Sequence, residues 1–339
     1  MKGVLVTEWS PFEALQLADV AQPVVGERDV LIEVRAAGIS FATSLVVQGK
    51  YQRKPPLPFV PGTEVAGVVI AVGPGVTRFK PDDRVCAVLD WGGLAEYACA
   101  KEVNVFAIPD SLSYPRAIAF TNSYATSAAA LMWPHLLNVQ PGQWLLVHGA
   151  SGGVGIAAVE IGKIRGATVV ATAGSPEKLR AARAHGADHQ INYRSGDFRA
   201  RVLELTNGRG VDAVFDPVGG DVFMQSLRCM APEGRIMPVG FAGGVAPQIP
   251  ANLLLVKNLT VCGLNLGLYY GWSPNDMRYV YEERMRSQMT QLFTWFQEGL
   301  IKPAVDRTYP LAEFQSAMAD VLSRRSIGRI AVVPGPSGS

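Results

Sequence analysis

The chain is predicted to be an α/β protein, a doubly wound parallel sheet joined to a mostly β domain, on three observations. An apolar run, Trp144–Val147, collapses into Gly149-Ala150-Ser151-Gly152-Gly153-Val154-Gly155 and reopens into an alanine-rich segment, Ile156–Ile161. That is a strand, a tight turn and the first turns of a helix. From about 116 to 260, strand and helix patterns alternate, as in a parallel sheet covered on both faces. Residues 1 to about 115 instead carry short valine-rich runs broken by Pro and Gly, at the spacing of a compact β domain.

Taken in order, the chain enters a strand almost at once after Met1-Lys2-Gly3-Val4. The valine runs Asp29–Val34, Val65–Val72 and Arg84–Val88 follow, with Pro61-Gly62, Gly73-Pro74-Gly75 and Gly92-Gly93 as turns. Trp144–Val147 opens a Rossmann unit and Ala167–Thr172 is its second strand, completing a β-α-β unit of about 30 residues. Gln190–Tyr193, Ala213–Asp216 and Arg235–Val239 are further strands. Beyond them come Leu259–Gly263, a long helix from Met277 to Glu298, a helix beginning near Leu311, and a strand, Arg329–Val333. This is too little for a domain, so 261–339 is expected to return to the first one. The expected organisation is 1–115, 116–260 and 261–339, with Pro334–Ser339 frayed.

The turn reads Ala150-x-Gly152-x-x-Gly155, a dinucleotide fingerprint whose first glycine is replaced by alanine. Gly152 lets backbone approach a pyrophosphate, and Gly155 lets helix pack on strand. Ala150, Ser151, Gly152, Gly153, Val154 and Gly155 thus form a phosphate cradle at the positive end of a helix. NAD-preferring sites place Asp or Glu at the end of the second strand. This chain has Ala173-Gly174-Ser175-Pro176, with no carboxylate until Glu177. Gly174 and Ser175 leave room for a 2′-phosphate, Lys178 supplies a point charge, and Tyr193 with Arg194 flanks the adenine side. Lys178 also reads as part of a solvated helix face with Arg180 and Arg183. The expected cofactor is NADPH.

With 18% charged residues and a net charge of +2, nothing in the composition points to nucleic acid. No uninterrupted apolar run is long enough to span a bilayer, and the start lacks a signal-peptide pattern, so a cytoplasmic protein is expected. The four cysteines (Cys86, Cys99, Cys229, Cys262) form no CxxC pair and read as buried thiols. The four histidines show no metal-ligand spacing; His148, in the first Rossmann strand, reads as a satisfied core or turn residue.

Two longer stretches carry a family resemblance. Gly142–Gly155 resembles the signature of the zinc-independent quinone oxidoreductase group of the medium-chain dehydrogenase/reductase superfamily, with Glu160 where that signature usually has glutamine. Pro55–Gly67 is similar to the same group's N-terminal motif. The resemblance implies a GroES-like mostly-β domain beside a Rossmann domain, with the active cleft between them, and a homodimer. Zinc-dependent relatives carry Cys and His where this chain has Ser40 and Thr63, and the cysteines of a structural zinc site are missing. No metal is therefore expected, and a reductase acting on an already electrophilic small molecule fits better than alcohol oxidation.

The resemblance also implies roles for single residues. Tyr124-Ala125-Thr126 is similar to the family's Tyr-Gly-Thr, Val239-Gly240-Phe241-Ala242 to its Val-Gly-Phe-Ala, and Gly263-Leu264-Asn265-Leu266-Gly267 to its Gly-Leu-x-x-Gly. Thr126, Phe241 and Asn265 would then lie near the nicotinamide; ordinary packing is the other reading of all three. Ser323-Arg324 resembles a cofactor-contacting segment, with Arg325 and Arg329 competing for the same role. Gly49-Lys50-Tyr51 matches the family's Gly-x-Tyr, so Tyr51 is either the proton donor or an aromatic on which substrate stacks while solvent supplies the proton. Ser40 and Thr43 stand where the family often has Asn and Asp, which leaves Ser40 as a hydrogen-bond donor in a roomier pocket. Three functions follow: an NADPH:quinone oxidoreductase, an NADPH-dependent reductase of activated C=C bonds in an enone or 2-enoyl thioester, and a redox-silent NADPH-binding protein.

Overall fold

The computed structural model describes residues 1–335. Of the expected frayed tail, Pro336–Ser339 lie outside the described residues. The chain divides into two units, one holding Met1–Asn122, Gly267–Gln297 and the segment from Pro303 onward, the other Ser123–Leu266 with Glu298–Lys302.

The first unit begins with a ribbon of β1 (Lys2–Leu5) and β2 (Gln16–Asp19). Its main sheet is built on the long β3 (Asp29–Ile39), antiparallel to β4 (Glu64–Val72), which pairs with β5 (Arg84–Val88). β6 (Tyr97–Lys101) pairs with the first half of β3, and β7 (Val105–Ala107) with β5. Valines and isoleucines at alternate positions, such as Val30, Ile32, Val34, Val65 and Val69, are buried in its core. Between β3 and β4 lies a short helix, α1 (Phe41–Val47), which the sequence pattern does not reveal. α2 (Tyr114–Ala119) packs on β3 and β4, which is why this unit runs to Asn122 rather than stopping near 115.

The second unit opens with α3 (Ala125–Met132), β8 (Trp144–Val147), α4 (Gly153–Ile164) and β9 (Thr168–Ala173). It continues through α5 (Pro176–Ala184), β10 (His189–Asn192), α6 (Phe198–Leu205), β11 (Val211–Asp216), α7 (Gly220–Arg228) and β12 (Met230–Pro238). α8 (Ala251–Lys257) and β13 (Thr260–Val261) complete it. All its strand pairs are parallel, in the order β10-β9-β8-β11-β12-β13. Counted within the unit this is the Rossmann order, and it reverses direction between β8 and β11, where a dinucleotide binds across the carboxyl ends of the strands.

The chain then returns to the first unit. α9 (Glu282–Gln297) begins later than the expected Met277, because Asp276 accepts from the Arg278 backbone amide at 3.1 Å and holds a turn there. β14 (Val305–Pro310) follows, then a 3-10 turn at Leu311–Glu313 leading into α10 (Phe314–Leu322), then β15 (Arg329–Val333). β15 lies antiparallel to the end of β3, with Ile330 opposite Ile39, and parallel to β14. No described helix is long and apolar enough to cross a membrane.

Candidate active site

In the second unit the predicted dinucleotide residues gather at the carboxyl ends of the strands. The positive-φ residue of the β8–α4 turn is Gly149 (φ +55°). Ala150 is fully buried and its amide donates to the Thr172 carbonyl at 3.1 Å, so alanine at the first fingerprint position meets no conformational demand. A Cβ at Gly155 would overlap the Gly149 carbonyl and come within 2.8 Å of the Ala150 Cα, so this glycine is required for helix to sit on strand. A Cβ at Gly152 would meet only the Gly149 oxygen, at an ordinary 3.5 Å. The protein's own packing therefore leaves Gly152 free to be something else. α4 starts at Gly153, so the amides of Gly153, Val154 and Gly155 have no acceptor within the helix and mark its positive end. Ser127, beside the buried Thr126, donates its hydroxyl to the Val154 carbonyl at 2.8 Å and ties α3 to this turn.

Gly174, Ser175, Lys178 and Tyr193 are brought together where β9 and β10 end. The Tyr193 amide donates to the Ala173 carbonyl at 3.3 Å, and a Cβ on Gly174 would lie 2.6 Å from the Tyr193 hydroxyl. Ser175 caps α5, accepting from the Lys178 amide at 3.4 Å. Lys178 is half-buried, unlike the exposed Arg180 and Arg183, so it does not share their solvated face. Phe241 lies exposed beyond β12, and Asn265 exposed beyond β13. His148 is a buried core residue, with Nδ1 2.9 Å from the Thr172 hydroxyl and Nε2 2.8 Å from that of Ser226.

In the first unit, Ser40 and Tyr51 share a concave pocket of about 570 Å³, part of it open to solvent. Its walls are largely apolar, with Val46, Phe59, Pro61, Trp91 and Trp272 among them. Burial raises the Tyr51 phenol above its usual value, so it carries its proton at neutral pH. Ser40 precedes α1, and the two departures at Ser40 and Thr43 prove to be one device: Thr43 accepts from the Ser40 amide at 3.3 Å, and the two hydroxyls are 3.3 Å apart. Sequence reading missed Arg53, Asp90, Trp91 and Trp272, which converge on this pocket from three separate segments.

Of the three competing arginines, Arg329 is removed: it is buried and ion-paired with Glu64, which also accepts from the Asn122 amide. Gly38 is glycine because a Cβ there would run into that pair. Arg324 is an exposed left-handed residue (φ +54°) just after α10, in the first unit. Cys86, Cys229 and Cys262 are buried, but Cys99 is only half-buried, because the opposite face of β6 is partly open.

Comparison with known proteins places this architecture. Residues 26–110 match the family described as alcohol dehydrogenase GroES-like domain, and 153–283 the one described as zinc-binding dehydrogenase. Quinone oxidoreductase-like protein 2 of Rattus norvegicus is 36% identical over 319 residues, spanning 94% of this chain and 88% of the relative. The chain belongs to the quinone oxidoreductase group of the medium-chain dehydrogenase/reductase superfamily. Among solved structures, the Pseudomonas syringae pv. Tomato DC3000 quinone oxidoreductase superposes with a TM-score of 0.88 at 31% identity, covering 98% of this chain and 99% of that one. The Escherichia coli quinone oxidoreductase complexed with NADPH gives 0.88 at 28% identity, covering 98% and 100%.

One of those family descriptions names zinc, which needs suitable donors. Ser40 and Thr63, at the positions where zinc-dependent medium-chain enzymes carry ligands, offer neutral hydroxyls to the pocket, and zinc prefers thiolate and imidazole. No group of three or more His, Cys, Asp or Glu suited to a metal occurs among the described residues. The donor set does not fit zinc.

Proposed function

We propose that this oxidoreductase uses NADPH to reduce a quinone, without a metal. The observation that carries the reading is the first unit's pocket: a phenol kept protonated by burial, hydroxyls at the two metal-ligand positions, and flat aromatic walls suited to a conjugated acceptor. Support for the cofactor comes from the unpaired α4 amides, the spare room at Gly152, and the cluster of Gly174, Ser175, Lys178 and Tyr193 with no carboxylate at the end of β9. The NADPH-bound state of the Escherichia coli relative supports it too.

When bound, NADPH supplies a hydride from C4 of its nicotinamide. The α4 amides would hold its pyrophosphate, and Lys178 with the Ser175 hydroxyl would hold its 2′-phosphate. Thr126, Phe241 and Asn265 would lie toward its nicotinamide, as the family resemblance implies. Tyr51 donates its phenolic proton to the oxygen that becomes negative as hydride arrives, and solvent restores it. The apolar walls exclude water from the acceptor and strengthen that hydrogen bond.

The positioned donor also favours a second acceptor class, an activated C=C bond in an enone or 2-enoyl thioester, whose enolate must be protonated. Steady-state NADPH oxidation with a quinone, an enone and an enoyl thioester separates the readings. Quinone turnover at the highest kcat/KM supports the first, and preference for the C=C acceptors replaces it with the second. Consumption with none of them leaves a redox-silent binding protein.

A further inference from the structure

One end of the pocket is more heavily charged than a site for neutral quinones requires. Asp90 Oδ1 accepts from Arg53 Nη2 at 2.8 Å and from Arg278 Nη2 at 3.1 Å, so one carboxylate serves two guanidinium groups. Asp276 pairs with the far side of Arg278 at 2.8 Å, but its side chain is 49% exposed and its charge is screened by water. Arg53 thus shares its carboxylate partner with a second, buried arginine. Arg53 is flanked by aromatic rings, its Cζ lying 5.3 Å from the centre of Trp91 and 5.8 Å from that of Trp272.

Two donors at this end are orphaned. Arg53 Nη1 and Trp272 Nε1 are both buried and have no hydrogen-bond acceptor. A buried N–H without a partner is costly, by an amount that a bound acceptor atom would recover. Both residues line the pocket that holds Tyr51, and among its lining residues the only formal charges are those of Arg53 and Asp90. Asp90 is already shared between two arginines and does not compete for Arg53 Nη1.

We infer that this end is a carboxylate subsite: the acceptor carries a carboxylate that takes one hydrogen bond from Arg53 Nη1 and one from Trp272 Nε1, with its conjugated body along the aromatic walls toward Tyr51. The inference rests on the reading above that this pocket receives the acceptor. It narrows the substrate class to acidic, flat, electron-poor molecules. A charge-assisted pair of this kind gives roughly ten- to hundred-fold discrimination over a neutral isostere.

The test needs no turnover. 2-Naphthoate and its neutral isostere 2-naphthamide are titrated calorimetrically into the full-length protein with NADP⁺ in excess. The naphthoate is expected to bind at least about ten-fold more tightly. In Arg53→Met, which keeps the aliphatic stem and leaves Asp90 paired to Arg278, that ratio falls to near one. In Trp272→Phe, which removes only the indole N–H from an aromatic wall, it falls several-fold, and thermal melts of both variants confirm folding. Equal binding of the two probes by the wild-type protein overturns the inference, as does a preference that survives both substitutions. Failure of the proposed function reads differently: NADPH is then not consumed with any acceptor, whatever the binding ratio.

Discussion

Glu160 accepts the hydroxyl proton of Tyr124 at 2.6 Å in the interior of the second unit. The same carboxylate also lies 2.6 Å from His185 Nδ1 and accepts from the Lys302 backbone amide at 3.0 and 3.1 Å. Three elements therefore meet on one side chain, at the position where related signatures have glutamine. A carboxylate suits this company, because it only accepts and its neighbours donate. Glu160→Gln turns an NH₂ group toward a donor and is expected to cost about 1–3 kcal/mol of unfolding free energy in urea melts. A variant as stable as the wild type would show that the carboxylate is not needed there.

His148 makes stability depend on pH. Ser226 gives its hydroxyl proton to the Val222 carbonyl at 2.7 Å, so His148 Nε2 donates to Ser226 and Nδ1 accepts from Thr172. Burial holds the imidazole's pKa below its usual value, and the folded state keeps it neutral. The unfolded chain then binds the extra proton, so this contribution is whole above the unfolded value of about 6.5 and is lost as pH falls below it. Urea midpoints are expected to drop between pH 7.5 and 5.5, and the drop should shrink in His148→Gln. An unchanged drop in that variant assigns the effect elsewhere.

The two turn glycines should separate folding from binding. Gly155→Ala places a methyl into the Gly149 and Ala150 backbone and is expected to cost about 1–3 kcal/mol in stability. Gly152→Ala has an open position and ordinary φ (−79°), so its unfolding free energy should stay within about 0.5 kcal/mol of wild type. Its NADPH dissociation constant, measured by calorimetry, should nevertheless rise at least about ten-fold, as backbone is held off the pyrophosphate. Undiminished NADPH binding by Gly152→Ala would remove the cradle from this turn.

Tyr51→Phe keeps the aromatic wall and removes the proton. With an enone, kcat is expected to fall roughly 10²-fold with little change in KM. Because burial raises the Tyr51 pKa, wild-type kcat should show no loss from its ionisation until the pH exceeds about 10. Unchanged kcat in the variant would assign protonation to solvent and leave Tyr51 as a stacking surface.

The Rossmann half was legible because its signals are local. Trp144–Val147, the glycine turn and Ile156–Ile161 declare strand, turn and helix within one stretch, and β9 to β12 repeat the pattern. The first unit's pocket was half legible. Tyr51 and Ser40 lie in segments that a motif flags, whereas Arg53, Asp90 and Trp272 are joined only by long-range folding. Arg329 misled for the same reason. Its charge reads as a surface or ligand group until the antiparallel pairing of β15 with β3 sets it against Glu64. Ser40 and Thr43 look like two separate losses, and only the start of α1 shows that they answer each other.

The seat of β15 beside β3 bears on how the chain matures during synthesis. Strand β3 leaves the ribosome early, but part of its hydrogen-bonding edge stays bare until residues near 330 emerge. The Rossmann unit, Glu298–Lys302 included, is by then already translated. Nascent chains arrested after residue 302 are therefore expected to show protease resistance across 123–266 while 1–122 is still cleaved. Equal protection of both stretches in such chains would mean that the early strands can settle without their late neighbour.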